Sequence, residues 1–225
     1  SIDTNSTLQV VNAYTISGPI ILNDGTLDVD AATTISGDIT HTASSTINVD
    51  GGITLTYSGA AVDVGAFTLS LQGGGMGTIA NTNAITLGTG ATLQTTGVYT
   101  ITGPVILNDG TLDIDAETTV SGAITHTANS TINVNTGITL TYTGAAVSVG
   151  AFTLDLPGAG TVANTNAISL GTGSTLLTTG TATITGPVIL NDGTLDIDEN
   201  TTISGAVTHT ASSTINVLTG KTLTY

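Results

Sequence analysis

The sequence contains no cysteine, no arginine and no tryptophan, and its single lysine is Lys221. Without cysteine, a disulfide framework and a thiolate metal site are excluded. Because basic side chains are nearly missing, the 225 residues carry a net charge of −15, which makes nucleic acid and anionic membrane surfaces poor partners. Only 8% of residues are charged, yet 39% are hydrophobic and regularly spaced, so a disordered acidic tail is excluded as well.

Long apolar runs are also missing. No stretch approaches the roughly 20 apolar residues of a membrane helix, so we expect no membrane insertion. The sequence starts with Ser rather than Met and stops within a repeated pattern, at GKTLTY. We therefore expect a processed subunit or a segment of a longer protein.

What the sequence has instead is repetition. The segment GPVILNDGTLDID starts at Gly103 and again at Gly186, and the near-copy GPIILNDGTLDVD starts at Gly18. The three histidines, His41, His126 and His209, follow the same spacing. Such a period indicates a repeat architecture. We predict one domain over residues 1–225 with long repeats at about 14–97, 99–181 and 182–225, the last of them partial.

Each full long repeat contains four shorter units of about 21 residues. Every unit has three extended pieces, such as TIS, VIL and TLDV, which Gly, Pro, Asn, Asp or Ser usually separate. Alternation with period two turns one set of side chains inward. The expected inward column of the first piece is Ile16, Ile35, Leu55, Ile79, Ile101, Val120, Leu140, Val162, Ile184 and Ile203. The expected inward column of the third piece is Leu27, Ile47, Leu69, Leu93, Leu112, Ile132, Leu154, Leu176, Leu195 and Ile215.

Three short strands in each unit, without helices, predict an all-β fold: a parallel β-helix, or β-solenoid. We expect about ten rungs in a right-handed coil, where a rung is one complete turn of the solenoid. One rung cannot bury its apolar face alone, whereas stacked rungs bury a continuous core. At a strand spacing of about 4.8 Å, the stack would be roughly 50 Å long.

Thr-, Gly-, Asn- and Asp-rich rungs over nearly the whole chain resemble the β-solenoid repeats of giant bacterial surface proteins, the filamentous-haemagglutinin-type adhesins. This resemblance implies an extracellular or cell-surface fibre, and it carries over no functional residue. Copies of the chain are the expected partners, with surface glycans as a further candidate.

The acidic strand TLDID suggests a calcium site. Leu112 and Ile114 are expected to face inward, which turns Asp113 and Asp115 toward solvent. In the first copy, the side chains that could converge on a hard cation are Asp28, Asp30, Asn48 and Asp50. The alternative is a solvated face that keeps a fibre soluble. The preceding Asn-Asp-Gly triplets are expected to form turns. No other cofactor is expected.

The histidines and threonines have structural interpretations beside functional ones. Each His replaces a Leu or Val of an inward column, and four rungs, roughly 19 Å, separate one His from the next. They therefore cannot share a metal, and we expect neutral rings bonded to the backbone near a corner. Thr-apolar-Thr pieces such as Thr54/Thr56 and Thr100/Thr102 resemble the ice face of β-solenoid antifreeze proteins, although Thr also suits any exposed strand.

Enzyme activity is not expected. Some parallel β-helices act on polysaccharides, but Lys221 is the only basic side chain besides histidine, and the carboxylates recur as copies without a unique pair. The sequence therefore predicts a structural, non-catalytic filament or stalk, with ice binding and polysaccharide binding or cleavage as alternatives.

Neither end of the pattern shows a charged cap, so we expect either that the chain continues in a longer protein or that subunits stack head to tail by adding strands. The residues predicted to meet at such a joint are Ser1, Ile2, Leu8, Val10, Leu223 and Tyr225.

Overall fold

The computed structural model describes residues 1–225, and all of its regular secondary structure is β-strand. Consecutive strands lie on three faces in turn, and every strand pairs in parallel with the strand three positions along the chain, apart from two interruptions on one face. The predicted fold class, an all-β parallel β-solenoid, is confirmed.

Face 1 carries the first piece of each unit in one 11-stranded sheet. Its strands are β3 (Tyr14–Ile16), β6 (Thr33–Ile35), β9 (Thr54–Tyr57), β12 (Gly77–Asn81), β15 (Tyr99–Ile101), β18 (Thr118–Val120), β21 (Thr139–Tyr142), β24 (Thr161–Asn164), β27 (Thr183–Ile184), β30 (Thr201–Ile203) and β33 (Leu223–Thr224).

Face 2 carries the second piece and is divided into sheets of three, four and four strands. The three sheets are β1 (Ile2–Asp3), β4 (Ile20–Asn23) and β7 (Ile39–His41); β10 (Val62–Asp63), β13 (Ile85–Leu87), β16 (Val105–Leu107) and β19 (Ile124–His126); and β22 (Val147–Ser148), β25 (Ile168–Leu170), β28 (Val188–Leu190) and β31 (Val207–His209).

Face 3 carries the Thr-led third piece in a second 11-stranded sheet. Its strands are β2 (Thr7–Val10), β5 (Thr26–Val29), β8 (Ser45–Val49), β11 (Thr68–Gln72), β14 (Thr92–Thr95), β17 (Thr111–Ile114), β20 (Ser130–Val134), β23 (Thr153–Asp155), β26 (Thr175–Thr178), β29 (Thr194–Ile197) and β32 (Thr214–Val217).

The solenoid therefore has eleven rungs, one more than the expected ten. The sequence count of Thr-led pieces began at Thr26, but Thr7 opens a strand of the same kind, and β2 pairs with β5 in register from Thr7 with Thr26 to Val10 with Val29. One core of 48 buried hydrophobic residues follows the axis through the stack. Because each rung covers the apolar edge of the next, the core is continuous although no single rung encloses it.

The Asn-Asp-Gly triplets form turns, as expected. The residue in the left-handed region is the aspartate of each triplet, with φ of 62° at Asp24, 70° at Asp109 and 69° at Asp192. Aspartate tolerates this conformation better than most residues because its short side chain bonds locally. The turn leads the chain from face 2 into the Thr-led strand of face 3.

The predicted inward columns face the core, but at some rungs neighbouring strands pair in a register that differs from the predicted one. On face 1, Ile35 lies beside Tyr57 and Thr33 beside Leu55, where the sequence pattern placed Ile35 beside Leu55. The same step separates Val120, which lies beside Tyr142, from its expected partner Leu140. A shift of two residues keeps every side chain on its own side of the sheet, so apolar periodicity could not reveal it.

Face 3 takes the same step between the same rungs. Ile47 lies beside Leu71 rather than beside Leu69. In the second long repeat, Ser130 lies beside Leu154, whereas the pattern predicted Ile132 there. The solenoid is thus built from blocks of four rungs, and each block is offset by two residues from the one before it.

Candidate functional surfaces

The acidic face is a hydrogen-bonded ladder of amides and carboxylates on face 3. Asn48 Nδ2 donates to Asp28 Oδ1 at 2.6 Å, as the predicted pairing of these two residues requires. The second copy repeats this bond between Asn133 and Asp113 at 2.7 Å. In this column an amide follows both Asp28 and Asp113, so like charges do not face each other directly there.

The hydrogen bonds made by the residues of the predicted calcium site do not direct their oxygen atoms toward one point. Asp30 Oδ2 accepts from Gln9 Nε2 at 2.8 Å, and Asp50 is exposed. Asn48 turns its NH₂ group toward Asp28, and its Oδ1 is buried without a hydrogen-bond partner. No group of three or more His, Cys, Asp or Glu side chains is placed to hold a metal ion. Calcium binding here stays a prediction.

Burial also affects the ladder. The pKa of Asp113 is raised because the carboxyl is partly withdrawn from water, and the nearby charge of Asp115 adds to this. The hydrogen bond from Asn133 acts in the opposite direction by stabilising the ionised form. The amides of the ladder therefore allow closely spaced carboxylates to remain on a β-sheet face.

The three histidines divide into two buried rings and one exposed ring. His41 and His126 are 7% and 5% exposed, and none of their ring nitrogens has a hydrogen-bond partner. Burial lowers the pKa of both rings to about 4. The lowered pKa favours the expected neutral ring. The expected hydrogen bond to the backbone is wrong for both rings. Each His lies beside a leucine of the preceding rung, Leu22 or Leu107, in the inward column.

His209 differs because it lies in the last rung. The residue is exposed, and its Nδ1 lies 2.7 Å from Ser213 Oγ. No further rung covers this ring, although it follows Leu190 in the column as His41 follows Leu22. The difference among the three copies thus comes from stacking rather than from local sequence.

Two buried tyrosines bridge the interruptions of face 2, and sequence reasoning missed them. Within a face-2 sheet, the first amide of a strand donates to the next rung, as Ile20 N does to Asp38 O at 2.8 Å. No ladder joins β7 to β10, and Ile39 N instead donates to Tyr57 Oη at 3.2 Å. Tyr57 Oη in turn donates to Ala60 O at 2.6 Å. We call this arrangement a tyrosine seam.

The second tyrosine seam lies between β19 and β22. Ile124 N donates to Tyr142 Oη at 3.1 Å, and that hydroxyl donates to Ala145 O at 2.5 Å. Burial raises the pKa of both tyrosines, so their hydroxyls stay protonated donors. The recurrence of TLTYSGAA as TLTYTGAA, with tyrosine at the same place, was the sequence signal available for this feature.

A small cavity accompanies each tyrosine seam. The first has a volume of about 20 Å³ and is lined mainly by apolar side chains, among them Leu55, Val62 and Ile85, together with Tyr57 and His41. The second has the same volume and includes Tyr142, Val147 and Ile168. Both volumes are near the size of one water molecule, but apolar walls offer such a water few partners.

Replacing Tyr142 by phenylalanine is expected to lower the free energy of unfolding by about 1–3 kcal/mol. The ring would still fill its site, whereas Ile124 N and Ala145 O would lose their buried partner. Urea titration of the variant measures the change. Tyr225→Phe is the matched control, because Tyr225 occupies the same repeat position but is 74% exposed. Equal losses in the two variants would contradict a bridging role for the hydroxyl.

The residues predicted to form an end-to-end joint separate into edge and core positions. Ile2 and Val10 are buried within their own rung, at 5% and 8% exposure. Leu8 and Tyr225 are exposed, and Leu223 is half-buried. Ser1 is exposed, and its Oγ donates to Asp3 Oδ1 at 2.5 Å. Direct contact with another molecule is therefore open mainly to Leu8, Leu223 and Tyr225.

Comparison of the chain with protein-family models, with curated proteins and with solved structures finds no match. The structure contains no helix with the length and hydrophobicity of a transmembrane span.

Proposed function

We propose that the chain is a structural, non-catalytic segment of an extracellular β-helical filament or adhesin stalk. The observation that carries this proposal is the single apolar core that follows one axis through eleven rungs. Such a core gives a rod whose length grows with the number of rungs, while its width stays constant. At about 4.8 Å per rung, eleven rungs extend roughly 50 Å.

The outer surface supports the same role. Threonines and an amide-carboxylate ladder recur with each long repeat, and the net charge of −15 favours solubility of an extended rod. Catalysis requires a local departure from such repetition, because one set of groups must converge on one substrate. A surface that repeats identical short polar side chains is suited to spacing and solvation.

Immunogold labelling with an antibody raised against the 225-residue chain tests the proposal on intact cells of the source organism. We expect gold along fibres outside the cell or on its surface, and loss of the label after protease treatment of unbroken cells. Label that appears only after the cells are opened would contradict an extracellular structural role.

Ice binding is a second candidate because one threonine column of face 1 is in register over five consecutive rungs. The column comprises Thr54, Thr78, Thr100, Thr119 and Thr141, and the next rung places Ala163 in it. Thermal hysteresis of the purified chain would support this function. Because Thr100 is central in the column, Thr100→Tyr should abolish the thermal hysteresis. If a solution of the wild-type chain shows no thermal hysteresis, ice binding is eliminated as a function.

A further inference from the structure

The two tyrosine seams are one structural feature built twice, so the rungs on either side of them can be compared bond by bond. The first junction joins strands β6, β7 and β8 to β9, β10 and β11, and the second joins β18, β19 and β20 to β21, β22 and β23. Face 1 is continuous at both junctions, with three residue pairs in each ladder, and face 2 has no ladder at either. Each interface between rungs contributes its own free energy, so the remaining differences decide which junction opens more easily.

On face 3 the second junction has the shorter ladder. Strands β8 and β11 share four residue pairs, whereas β20 and β23 share two. The first of these ladders ends with Gln72 beside Asn48. Pro157 lies two residues after β23, at the place of Gln72, and proline has no N–H to donate to a neighbouring strand. The second junction is therefore held by fewer backbone bonds on this face.

A third buried tyrosine supports the first junction only. Tyr99 Oη accepts from Val49 N at 2.8 Å and donates to the carbonyl of the last residue of β11, so its hydroxyl ties β8 to β11. The Tyr99 side chain is 1% exposed. Ala182 takes its place in the second long repeat and has no hydroxyl that could join β20 to β23. One backbone bond, from Gly160 N to Val134 O at 2.8 Å, spans that corner instead.

Beside face 2, a carboxylate braces the first junction and is missing from the second. Asp38 Oδ1, at the corner before β7, accepts from Ala60 N at 3.0 Å, at the corner before β10. Ala60 is also the residue whose carbonyl accepts from Tyr57 Oη. In the second long repeat Ala123 replaces Asp38, so Ala145 N has no such acceptor. The tyrosine seam of the second junction is therefore without this brace.

We propose that the solenoid opens first at the second junction, on faces 2 and 3, while face 1 stays paired and acts as the hinge. The shorter ladder, the missing tyrosine and the missing carboxylate all weaken the same interface. Because proteins open locally at their least stable contacts, these differences concentrate opening at one place in the rod. A rod of this kind bends at that place rather than along its whole length. The property belongs to the folded chain and does not depend on the filament function.

Hydrogen exchange of two matched amides, followed by NMR on the wild-type chain, tests the proposal. Ile39 N and Ile124 N each donate to a tyrosine hydroxyl, at 3.2 and 3.1 Å, and both residues are buried. After correction for intrinsic rates, Ile124 should exchange at least about 10-fold faster, because several hydrogen bonds of ordinary strength are absent from its junction. Fraying of the tested chain would give the opposite order, because eight strands precede the first junction and thirteen follow the second.

Limited proteolysis of the wild-type chain supplies a second matched pair. The corner segments TYSGAAV and TYTGAAV start at Thr56 and Thr141 and differ in one residue. A protease of broad specificity therefore meets nearly the same local sequence at both junctions. We expect the first cut in the segment that starts at Thr141, and mass spectrometry should find two fragments that divide the chain near Ala145.

A disulfide across each junction provides a locked variant and its control. Thr131 is paired with Asp155 across the second junction, and Thr46 with Ser70 at the equivalent place in the first. Neighbouring strands bring such positions within disulfide range, and the chain has no cysteine of its own. When oxidised, Thr131→Cys, Asp155→Cys should lose the fast exchange of Ile124 and the early cut, and dithiothreitol should restore both. Thr46→Cys, Ser70→Cys should leave both unchanged.

Three results would overturn the proposal: exchange of Ile39 as fast as that of Ile124, a first cut at the first junction or at both together, and fast exchange that persists in the oxidised second-junction variant. Urea titration of the oxidised variants establishes whether they fold. If a variant fails to fold, the exchange and cleavage patterns of the wild-type chain still decide the outcome, because neither measurement requires a substitution.

Discussion

Replacing Gly122 by alanine is expected to lower the free energy of unfolding by about 3 kcal/mol or more. Gly122 lies at the corner between face 1 and face 2, directly against the corner of the preceding rung. A Cβ at this position would lie 1.8 Å from Gly103 O and 2.2 Å from Gly103 C. Both obstructing atoms belong to the backbone of the preceding rung, so no side chain can rotate away.

The cost follows from the way in which a solenoid is built. Moving the corner outward would stretch the ladder that joins neighbouring rungs, including the bond from Val105 N to Ala123 O at 2.9 Å. It would also open the core beside that corner, where packing is close. A single methyl group therefore disturbs two rungs together.

Gly18→Ala provides the control, and urea titration at a protein concentration too low for self-association provides the measurement. Gly18 occupies the same corner between face 1 and face 2 in the first rung, but a Cβ there meets nothing within 4 Å. We expect its free energy of unfolding to stay within about 0.5 kcal/mol of the wild type. If Gly122→Ala were equally harmless, the close approach of the rungs described above would be wrong.

The glycines also show how much of the fold could be predicted from the sequence. Recurrence of Gly103 and Gly186 in identical segments, together with period-two alternation, was enough to predict the three faces, the direction of stacking and the inward residues. Leu112 and Ile114 are fully buried, as that pattern requires. Stacking follows from periodicity because the apolar stripe of each rung can be covered only by another rung.

The tyrosine seams, by contrast, could not be predicted from alternation. Tyr57 appeared as one more residue after Leu55, on the correct side of the strand, and its hydroxyl had no visible partner. Its role depends on Ile39 N, 18 residues earlier in the chain, and on a register step that is silent in the apolar pattern. The predicted backbone bond of the histidines was wrong for a related reason, because the surroundings of the His41 ring depend on the rungs that cover it and not on its own strand.

Acidification from pH 7.5 to pH 5 is expected to lower the free energy of unfolding by about 4 kcal/mol through His41 and His126 together. Burial lowers the pKa of each ring to about 4 from the ordinary 6.5. Between those two values the unfolded chain takes up a proton that the folded chain refuses, so stability falls with falling pH. Each ring contributes about 1.4 kcal/mol per pH unit, or about 2 kcal/mol at pH 5.

Other ionisable groups near these rings do not cancel the effect. Asp63 is the carboxylate that acts on His41, and it raises the pKa, but burial is the larger influence. Burial alone accounts for the lowered pKa of His126. Tyr57, which shares a cavity wall with His41, remains neutral because its own pKa is raised. The raised pKa of Asp113 works in the opposite direction, since the folded state binds that proton more readily as the pH falls.

Urea titrations at pH 7.5, 6, 5 and 4.5 measure the slope, and leucine is the informative replacement. Leu22 and Leu107 already occupy the position adjacent to each ring in its column. The double variant His41→Leu, His126→Leu should show a much flatter dependence on pH, whatever its stability at pH 7.5. His209→Leu is the control, because His209 is exposed in the last rung and should leave the slope unchanged.

The dependence of stability on pH also tests whether the stacked rungs keep water away from the histidine rings. The rings of His41 and His126 are withheld from protons only because the following rung covers them, whereas His209 lies in the same column position without such a cover. A wild-type protein whose stability did not change between pH 6.5 and pH 4.5 would mean that water reaches the two rings. Water could reach them only if the rungs separated at the tyrosine seams, since His41 lies in the strand bordering the first seam and His126 in the strand bordering the second.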